Sequence, residues 1–312
     1  MSAAEASPAV VALDRCLACG GRRLRPLAMA YLHGGQRFPL VECGDCGMRF
    51  LGVQPSPEAL AEFYDAAYFE SEFRCGRTTA SSFDAAAFRD ETAGLLDAFA
   101  ALGASGRLLD VGCASGALLR HAAERGWQAQ GVEIAPEAVA HARARGVEVF
   151  QGELLAARFP GAHFDLVYMG DVLEHALDCR AVVGEVARIL KPGGWFYLRG
   201  PITTHSLARS LALRCFGALG RTIVLREVPY HLWEFTPRPL ARMITAAGLE
   251  MVRVRESKIA PGRARGRKSA LERGLMAAID LVNLPLTAIF NVRGDRVVMV
   301  ARRPAGPGAQ AT

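Results

Sequence analysis

The chain has 312 residues, of which 51% are hydrophobic and 22% are charged, and its formal net charge is +6 at pH 7. This composition is typical of a globular protein with one sizeable core and a smaller module. It excludes a membrane-spanning helix, because no window reaches the roughly 18 uninterrupted apolar residues that such a helix needs. The N-terminus also lacks the basic and then apolar pattern of a secretory signal, so we expect a soluble cytoplasmic protein.

Two Cys-x-x-Cys-Gly motifs stand near the N-terminus, and their cysteines are Cys16, Cys19, Cys43 and Cys46. Two residues between thiolates let both sulfurs bind one tetrahedral ion, so the pattern predicts a structural Zn²⁺ with these four ligands. Because four protein ligands close the coordination shell, this metal is not expected to take part in catalysis. A redox-active dithiol and incidental cysteines remain as alternatives.

The motifs define a zinc-ribbon module over residues 15–52, with a hairpin whose strands lie near residues 26–31 and 38–41. The Ala- and Ser-rich residues 1–14 are expected to be a disordered tail. Residues 53–105 are expected to form a helical linker, with a second helix over residues 84–101. The first helix carries an aromatic stripe of Phe63, Tyr64, Tyr68 and Phe69. We interpret this stripe as packing, with a lid over a bound ligand as the alternative.

Residues 107–116, RLLDVGCASG, contain an apolar strand that runs into an acidic residue and a glycine turn. Gly112 and Gly116 allow a tight turn and a close approach of the backbone to a ligand. The dinucleotide fingerprint needs G-x-G-x-x-G and leaves a diphosphate at the helix N-terminus, where Asp110 would repel it. The same carboxylate suits a ligand that carries an ammonium and a sulfonium, so charge favours S-adenosylmethionine over NAD.

An acidic residue also ends the next expected strand. Glu133 stands 21 residues beyond Gly112, where a carboxylate can accept hydrogen bonds from both hydroxyls of a ribose. Two further blocks follow in strand-and-loop order, FDLVYMGDVLEH at residues 164–175 and LKPGGWFYLRGP at residues 190–201. Together these blocks resemble the motifs of the class I S-adenosylmethionine-dependent methyltransferases. The resemblance implies a Rossmann-like α/β fold, a seven-stranded sheet with helices on both faces, joined here to the small N-terminal zinc ribbon.

The resemblance also implies boundaries and site residues. It places the methyltransferase domain at residues 106–303, with an acceptor-binding insertion at residues 203–248 and a disordered tail at residues 304–312. Residues 249–258 and 295–303 resemble the antiparallel strand pair that closes such a sheet. The implied cofactor contacts are Asp110, Gly112, Cys113, Gly116, Glu133, Ile134, Gly152, Glu153, Met169 and Asp171. At Glu153 this chain departs from the family's pattern, because the acidic residue near the adenine amine is commonly Asp.

Two histidines are candidates for the chemistry of methyl transfer. His175 lies in the loop after the expected fourth strand, where ligands of such sheets bind, and it is our first candidate for a base. Shaping the pocket is its alternative role. His231 is the second candidate, and it lies in the segment PYHLWEFTPRPL at residues 229–240. The aromatic rings of Trp233 and Phe235 in that segment either stack on a sugar ring or only anchor the insertion.

A basic stretch at residues 253–273 holds eight Arg or Lys residues against two Glu. A solvated loop accounts for most such runs, and contact with RNA phosphates, anionic lipid or a sugar-nucleotide diphosphate is the alternative. The apolar segment at residues 275–290 is too short to span a bilayer, and peripheral membrane contact is a minority hypothesis for it.

The zinc ribbon, the linker and the methyltransferase core together resemble a bacterial group that includes sugar methyltransferases and enzymes of polysaccharide or secondary-metabolite pathways. The sugar C-methyltransferases of that group carry a large further domain that this sequence does not contain, which argues against sugar C-methylation. We expect a small-molecule or glycan acceptor with hydroxyl groups. An RNA-modifying methyltransferase and a non-catalytic scaffold are the alternatives, and the sequence lacks the interleaved aromatic and basic residues of an RNA-binding module.

Overall fold

The structure is a computed structural model that describes residues 8–63, 86–258 and 281–305. Its strands are β1 (Val10–Ala12), β2 (Leu24–His33), β3 (Gln36–Cys43), β4 (Arg49–Leu51), β5 (Val53–Pro55), β6 (Arg107–Val111), β7 (Gln128–Glu133), β8 (Glu148–Gln151), β9 (Phe164–Gly170), β10 (Leu190–Pro201), β11 (Ile223–Leu225), β12 (Glu250–Ser257) and β13 (Arg296–Arg302). Its helices are α1 (Pro57–Phe63), α2 (Ala86–Ala100), α3 (Ala117–Glu124), α4 (Pro136–Arg143), α5 (Leu154–Ala157), α6 (Cys179–Ile189), α7 (Leu207–Ala218) and α8 (Pro237–Ala246). Single 3-10 turns lie at Leu173–His175 and Thr203–His205, and residues 281–290 are also helical.

A seven-stranded sheet in the order β12-β13-β10-β9-β6-β7-β8 forms the centre of the chain. The strands from β10 to β8 run parallel to one another, and β13 pairs antiparallel with both β10 and β12. The helices between the parallel strands cover the sheet, as right-handed crossover connections require. The expected Rossmann-like methyltransferase sheet and its closing antiparallel pair are thus confirmed.

Both faces of the central strands are buried, which explains their nearly continuous apolar sequence. Leu108 of β6 packs with Phe99 of α2 in the core on one face. The next residue, Leu109, packs with Val183 of α6 in the core on the other face. Successive side chains of a strand point to opposite faces, so Asp110 lies on the same face as Leu108. This alternation sends the carboxylate toward the α2 side of the sheet.

A second sheet, in the order β11-β2-β3-β4, contains the predicted hairpin of the N-terminal module. The strands β2 and β3 pair antiparallel and meet at a turn that runs from His33 to Gln36. The strand β11 belongs to the insertion after β10 in sequence, but it pairs parallel with β2 over Ile223–Leu225. The module and the insertion therefore share one sheet, which the sequence analysis did not predict.

The tail expected at residues 1–14 contains a strand, and this part of the prediction was wrong. The strand β1 pairs antiparallel with β5, so that Val10 faces Pro55 and Ala12 faces Val53. The backbone of residues 53–55, expected to be linker, is hydrogen-bonded in this pair. Strands of three residues are too short to show a clear pattern in the sequence. An isolated pair of strands is only marginally stable, so this pair depends on its packing against the module.

Several predictions concern residues outside the described ranges. They include the aromatic residues Tyr64, Tyr68 and Phe69, most of the basic stretch and most of the C-terminal tail. In the part of the chain that the structure describes, no helix has the length and apolar character needed to cross a membrane.

Candidate functional site

The first cofactor motif lies where β6 ends, at the edge of the sheet formed by the carboxyl ends of its parallel strands. Gly112 has a φ of +75° and donates its N–H to the carbonyl of Val132 at 2.8 Å. A Cβ atom at this position would come within 2.2 Å of a methyl carbon of Val172. Both the backbone conformation and the space therefore require glycine, as the motif predicts.

Gly116 stands at the N-terminus of α3 and has a φ of +74°. A Cβ atom there would lie 3.1 Å from Val147 and 3.2 Å from Ala142. The glycine thus lets the start of α3 approach α4 and the segment before β8. The first N–H groups of a helix have no partner within the helix, and α3 starts beyond the carboxyl end of β6, where ligands of such folds bind.

Glu133 ends β7 and joins the two sides of the predicted cofactor crevice. One of its carboxylate oxygens accepts the N–H of Ala114, and the other accepts the N–H of Ala135, both at 2.9 Å. These bonds fix the carboxylate beside the glycine turn. Each oxygen has a second lone pair, so the carboxylate can still accept hydrogen bonds from two ribose hydroxyls.

Asp110 and Cys113 are buried beside this turn. Asp110 is 4% exposed, and burial, together with the charge of Glu133, raises the pKa of its carboxyl well above the usual value. A ligand cation would favour the ionised carboxylate at this position. Cys113 packs against β7, where a Cβ atom on Gly131 would come within 2.5 Å of its sulfur.

The remaining predicted cofactor residues lie along the same edge. Ile134 is 42% exposed, and Gly152 donates its N–H to the carbonyl of Glu133 at 2.9 Å. Glu153 is exposed at the start of α5. Met169 is completely buried in the core. The structure gives no ligand contact for any of them, and their assignment stays a prediction.

Asp171 has a φ of +57°, which is unusual for a residue other than glycine. Its two carboxylate oxygens each lie 2.6 Å from Nη2 of Arg296. Arg199 lies 3.9 Å from the same carboxylate and 2.5 Å from Glu91. The sequence analysis singled out neither arginine: Arg296 lies in β13, far from the loop in sequence, and Arg199 lies within the block at residues 190–201, whose pattern does not indicate a role for it.

The two predicted catalytic histidines lie together. Their rings have centroids 4.9 Å apart, and Glu174 completes a cluster whose ligand atoms all lie within 4.8 Å of one another. His175 Nδ1 is 3.0 Å from the carbonyl oxygen of Tyr230. Since a carbonyl only accepts, Nδ1 carries the proton and Nε2 is an acceptor in the neutral ring.

Burial dominates the protonation of this cluster. It lowers the pKa of His175 to about 3, with a smaller contribution from His231. Burial also raises the pKa of Glu174 well above its usual value, and the charge of Asp171 adds to this. His175 is therefore neutral at pH 7, and a proton on its ring would be held only weakly, which disfavours His175 as a general base.

The aromatic residues of the insertion segment are anchors. Trp233 is 1% exposed and Phe235 is 2% exposed, and the indole N–H of Trp233 donates to the carbonyl of Ala176 at 2.7 Å. The hypothesis that these rings stack on a sugar is therefore wrong. They fill the junction between the module and the carboxyl edge of the central sheet, where Trp233 also contacts Phe50 with ring centroids 5.4 Å apart.

Backbone hydrogen bonds hold this segment against β4 of the N-terminal module. Leu51 donates its N–H to Leu232 at 2.9 Å, and Glu234 donates its N–H to Arg49 at 3.0 Å. His231 directly precedes these residues. The module thus supports the backbone that carries one of the two candidate histidines.

A buried carboxylate links the same two parts of the chain. Tyr31 of β2 donates its hydroxyl to Oε1 of Glu234 at 2.9 Å, and Thr203 donates its hydroxyl to Oε2 at 2.8 Å. Burial raises the pKa of Tyr31 well above 10, and the charge of Glu234 adds to this, so the tyrosine stays a donor. No sequence signal connects these positions, because they are far apart in the chain.

The four predicted zinc ligands form a compact cluster. The sulfurs of Cys16 and Cys46 are 3.7 Å apart, as are those of Cys19 and Cys43. Tetrahedral zinc with Zn–S bonds of about 2.3 Å would place its sulfurs roughly 3.8 Å apart, so the donor set fits this ion. The glycine after each motif, Gly20 or Gly47, has a φ of +78°, which lets both turns close in the same way.

A cavity of about 570 Å³ lies at the opposite edge of the sheet. Its lining includes Arg107, Gln128 and Glu148, which are the first residues of β6, β7 and β8. It is therefore separate from the carboxyl edge that carries the motif residues.

Comparison with known proteins gives the family. A family model described as "Methyltransferase domain" matches residues 83–254, which is more than half of the chain. A ubiquinone biosynthesis O-methyltransferase of Burkholderia pseudomallei is 32% identical over 161 residues, which cover 48% of this chain and 66% of that protein. The chain thus spans slightly less than two thirds of this relative. A protein of the same name from Xanthomonas euvesicatoria is 34% identical over 179 residues, which cover 54% of this chain and 72% of that protein.

A crystal structure of a SAM dependent methyltransferase from Archaeoglobus fulgidus has a similar fold. It superimposes with a TM-score of 0.51 and 17% sequence identity, and the match covers 77% of this chain and all of that one. This similarity concerns the fold alone. With the matching family model, it shows that this chain belongs to the methyltransferase-domain family and has the Rossmann-like fold of S-adenosylmethionine-dependent methyltransferases.

Proposed function

We propose that this protein transfers the methyl group of S-adenosylmethionine to a hydroxyl oxygen of a small acceptor, such as a sugar, a glycan precursor or a secondary metabolite. The observation that carries the proposal is the arrangement at one edge of the sheet. There, the glycine turn and Glu133 form a crevice for the cofactor, and His175 and His231 lie at the loops next to it. The relatives named O-methyltransferases support oxygen as the methylated atom.

The residues of the crevice fit the charges of the cofactor. Its sulfonium makes the methyl group a strong electrophile when the cofactor is bound. Glu133 would accept hydrogen bonds from the ribose, and Asp110 would offset the positive charge of the amino acid part. The protein's main task is then to hold the acceptor oxygen in line with the methyl group and to exclude water.

A hydroxyl acceptor must also lose its proton. The C–S bond breaks and the C–O bond forms, so the hydroxyl proton needs an acceptor near the reacting oxygen. Nε2 of His175 and the ring of His231 are the groups at this edge that can take it. The burial of His175 weakens it as a final proton acceptor, so the proton would pass on to His231 or to solvent.

We also propose that the four-cysteine cluster holds a structural Zn²⁺ ion. The ion would contribute to folding rather than to methyl transfer, because its coordination shell is complete and the cysteines belong to the N-terminal module. Its effect on the reaction would be indirect, through the backbone of the insertion segment that the module supports.

The test is a screen that measures transfer of a labelled methyl group. Sugars, nucleotide sugars and phenolic compounds with a free hydroxyl form one arm, and bulk RNA forms the other. Transfer to a hydroxylated small molecule supports the proposal. Transfer to RNA alone would show that the acceptor is RNA and not a small molecule. Cofactor binding in calorimetry without methyl transfer in either arm would indicate a non-catalytic cofactor binder and overturn the proposal.

A further inference from the structure

The cluster of Glu174, His175 and His231 has the composition of a metal site. We propose that these three residues bind one divalent transition-metal ion, such as Zn²⁺ or Fe²⁺, at the carboxyl edge of the sheet. This site is separate from the four cysteines of the N-terminal module. Two imidazoles and one carboxylate are a common ligand set for such ions, and they leave coordination positions open.

The first support is an unpaired buried carboxylate. Glu174 is 1% exposed, and among the described residues neither of its carboxylate oxygens has a hydrogen-bond partner. Its main-chain carbonyl, in contrast, accepts the N–H groups of Leu232 and Trp233 at 2.9 and 3.1 Å. Buried polar groups of native proteins nearly always have partners, so a carboxylate in this position points to a ligand.

The second support is the orientation of His175. Its Nδ1–H donates to the carbonyl oxygen of Tyr230 at 3.0 Å, which directs Nε2 and its lone pair away from the backbone. Metal-binding histidines are usually held in this way, with the other ring nitrogen donating to a carbonyl or carboxylate. Nε2 lies 3.9 Å from Oε1 of Glu174, so a ring nitrogen and a carboxylate oxygen come close enough to bind one ion.

The third support is the size of the cluster. Its ligand atoms lie within 4.8 Å of one another. Ligands about 2.1 Å from a tetrahedral ion are roughly 3.4 Å apart, so side-chain rotations on the order of 1 Å would close the site. His175 keeps 18% of its side-chain surface exposed, and this opening gives an ion a path from solvent.

An ion here would lie beside the predicted acceptor position. An open coordination position can bind a hydroxyl oxygen of the acceptor and lower the pKa of that hydroxyl, which would help to remove its proton. This role rests on the proposed methyl transfer. The binding of the ion itself does not, and it can be measured without cofactor or acceptor.

The experiment titrates the full-length protein with Co²⁺ and follows its absorption, after dialysis that leaves one equivalent of zinc for the four cysteines and removes any further metal. A nitrogen and oxygen site gives visible bands without the intense near-ultraviolet charge transfer of a thiolate site. We expect one equivalent of Co²⁺ to bind in this way to the wild type. Glu174→Gln and His231→Gln should each weaken binding by more than about 100-fold, since each removes a direct ligand.

A matched control comes from a second histidine and glutamate pair. His205 Nε2 lies 3.3 Å from Glu256 Oε2, but no third ligand of the described residues completes that pair. His205→Gln should therefore leave Co²⁺ binding unchanged. Circular dichroism identifies a variant that fails to fold, and the half-buried His231 then carries the test if Glu174→Gln does not fold.

Two results would overturn the site. One is a wild-type protein that binds no Co²⁺ beyond the four-cysteine cluster, in which case Glu174 is an uncharged carboxylic acid. The other is equal Co²⁺ affinity in the wild type and in folded His231→Gln. Methyl transfer that proceeds without the ion would remove its catalytic role and leave the binding site intact, so the two proposals fail separately.

Discussion

Removing the hydroxyl of Tyr31 tests how firmly the N-terminal module is joined to the methyltransferase core. In Tyr31→Phe, Oε1 of Glu234 loses its donor at 2.9 Å and stays buried. A hydrogen bond to a charged group contributes about 1.5–3 kcal/mol, and a buried acceptor left unpaired costs an amount in the same range. We therefore expect the free energy of unfolding to fall by about 1.5–3 kcal/mol.

The measurement is urea denaturation of the variant beside Tyr197→Phe. Tyr197 is also buried, in the core that contains Phe99 of α2, and within the described residues its hydroxyl makes no hydrogen bond. Loss of that hydroxyl should change the free energy of unfolding by less than about 0.5 kcal/mol. A cycle with Glu234→Gln isolates the pair, since it should give a coupling energy of at least about 1 kcal/mol. Equal stability of the two tyrosine variants would refute the reasoning.

Three further predictions concern the cofactor, the cysteines and the candidate catalytic residue. Glu133→Gln should weaken S-adenosylmethionine binding by about 10- to 100-fold in calorimetry, because ribose hydrogen bonds to a carboxylate contribute about 1.5–3 kcal/mol each; unchanged affinity would contradict the assignment. Cys43→Ser should release about one equivalent of zinc in metal analysis and increase the hydrogen exchange of residues 15–50. A variant that keeps its zinc would show that the four cysteines are not the zinc site. His175→Ala separates the two roles of this residue: loss of a proton acceptor would lower turnover by about 10² or more with nearly unchanged cofactor affinity, whereas the pocket-shaping role that the burial of the ring favours would raise the acceptor KM with normal turnover.

The central sheet was predictable because its signals are local. The central parallel strands β6 and β9 are short apolar runs, and Gly112 and Gly116 follow β6 at a spacing that serves one turn. The same holds for the four cysteines, since two residues between thiolates dictate a knuckle whatever surrounds it. In both cases, the chemistry that a motif needs is complete within a few residues.

The junction between the two parts could not be predicted, because it depends on pairs that are far apart in sequence. Val224 of β11 pairs with Ala30 of β2, and Tyr31 bonds to Glu234, although nothing in either segment specifies the other. The orientation of Trp233 was open for the same reason. The sequence of a proline-bounded aromatic segment is the same whether its rings face a ligand or the core. For Trp233, only the tertiary contact with Phe50 decides between the two.

The junction would give the N-terminal module an indirect role in the proposed reaction, without a residue at the reacting atoms. Leu232 and Glu234 are bonded to β4 through their backbones, and His231 precedes them directly. If the proposed zinc ion is removed, β4 should lose the support of its own sheet, and the segment with His231 is the first part of the carboxyl edge that we expect to move. Glu133 and the glycine turn belong to the parallel sheet and do not depend on that support. Loss of the ion should therefore raise the acceptor KM while cofactor affinity stays nearly constant, which separates this indirect role from a role in cofactor binding.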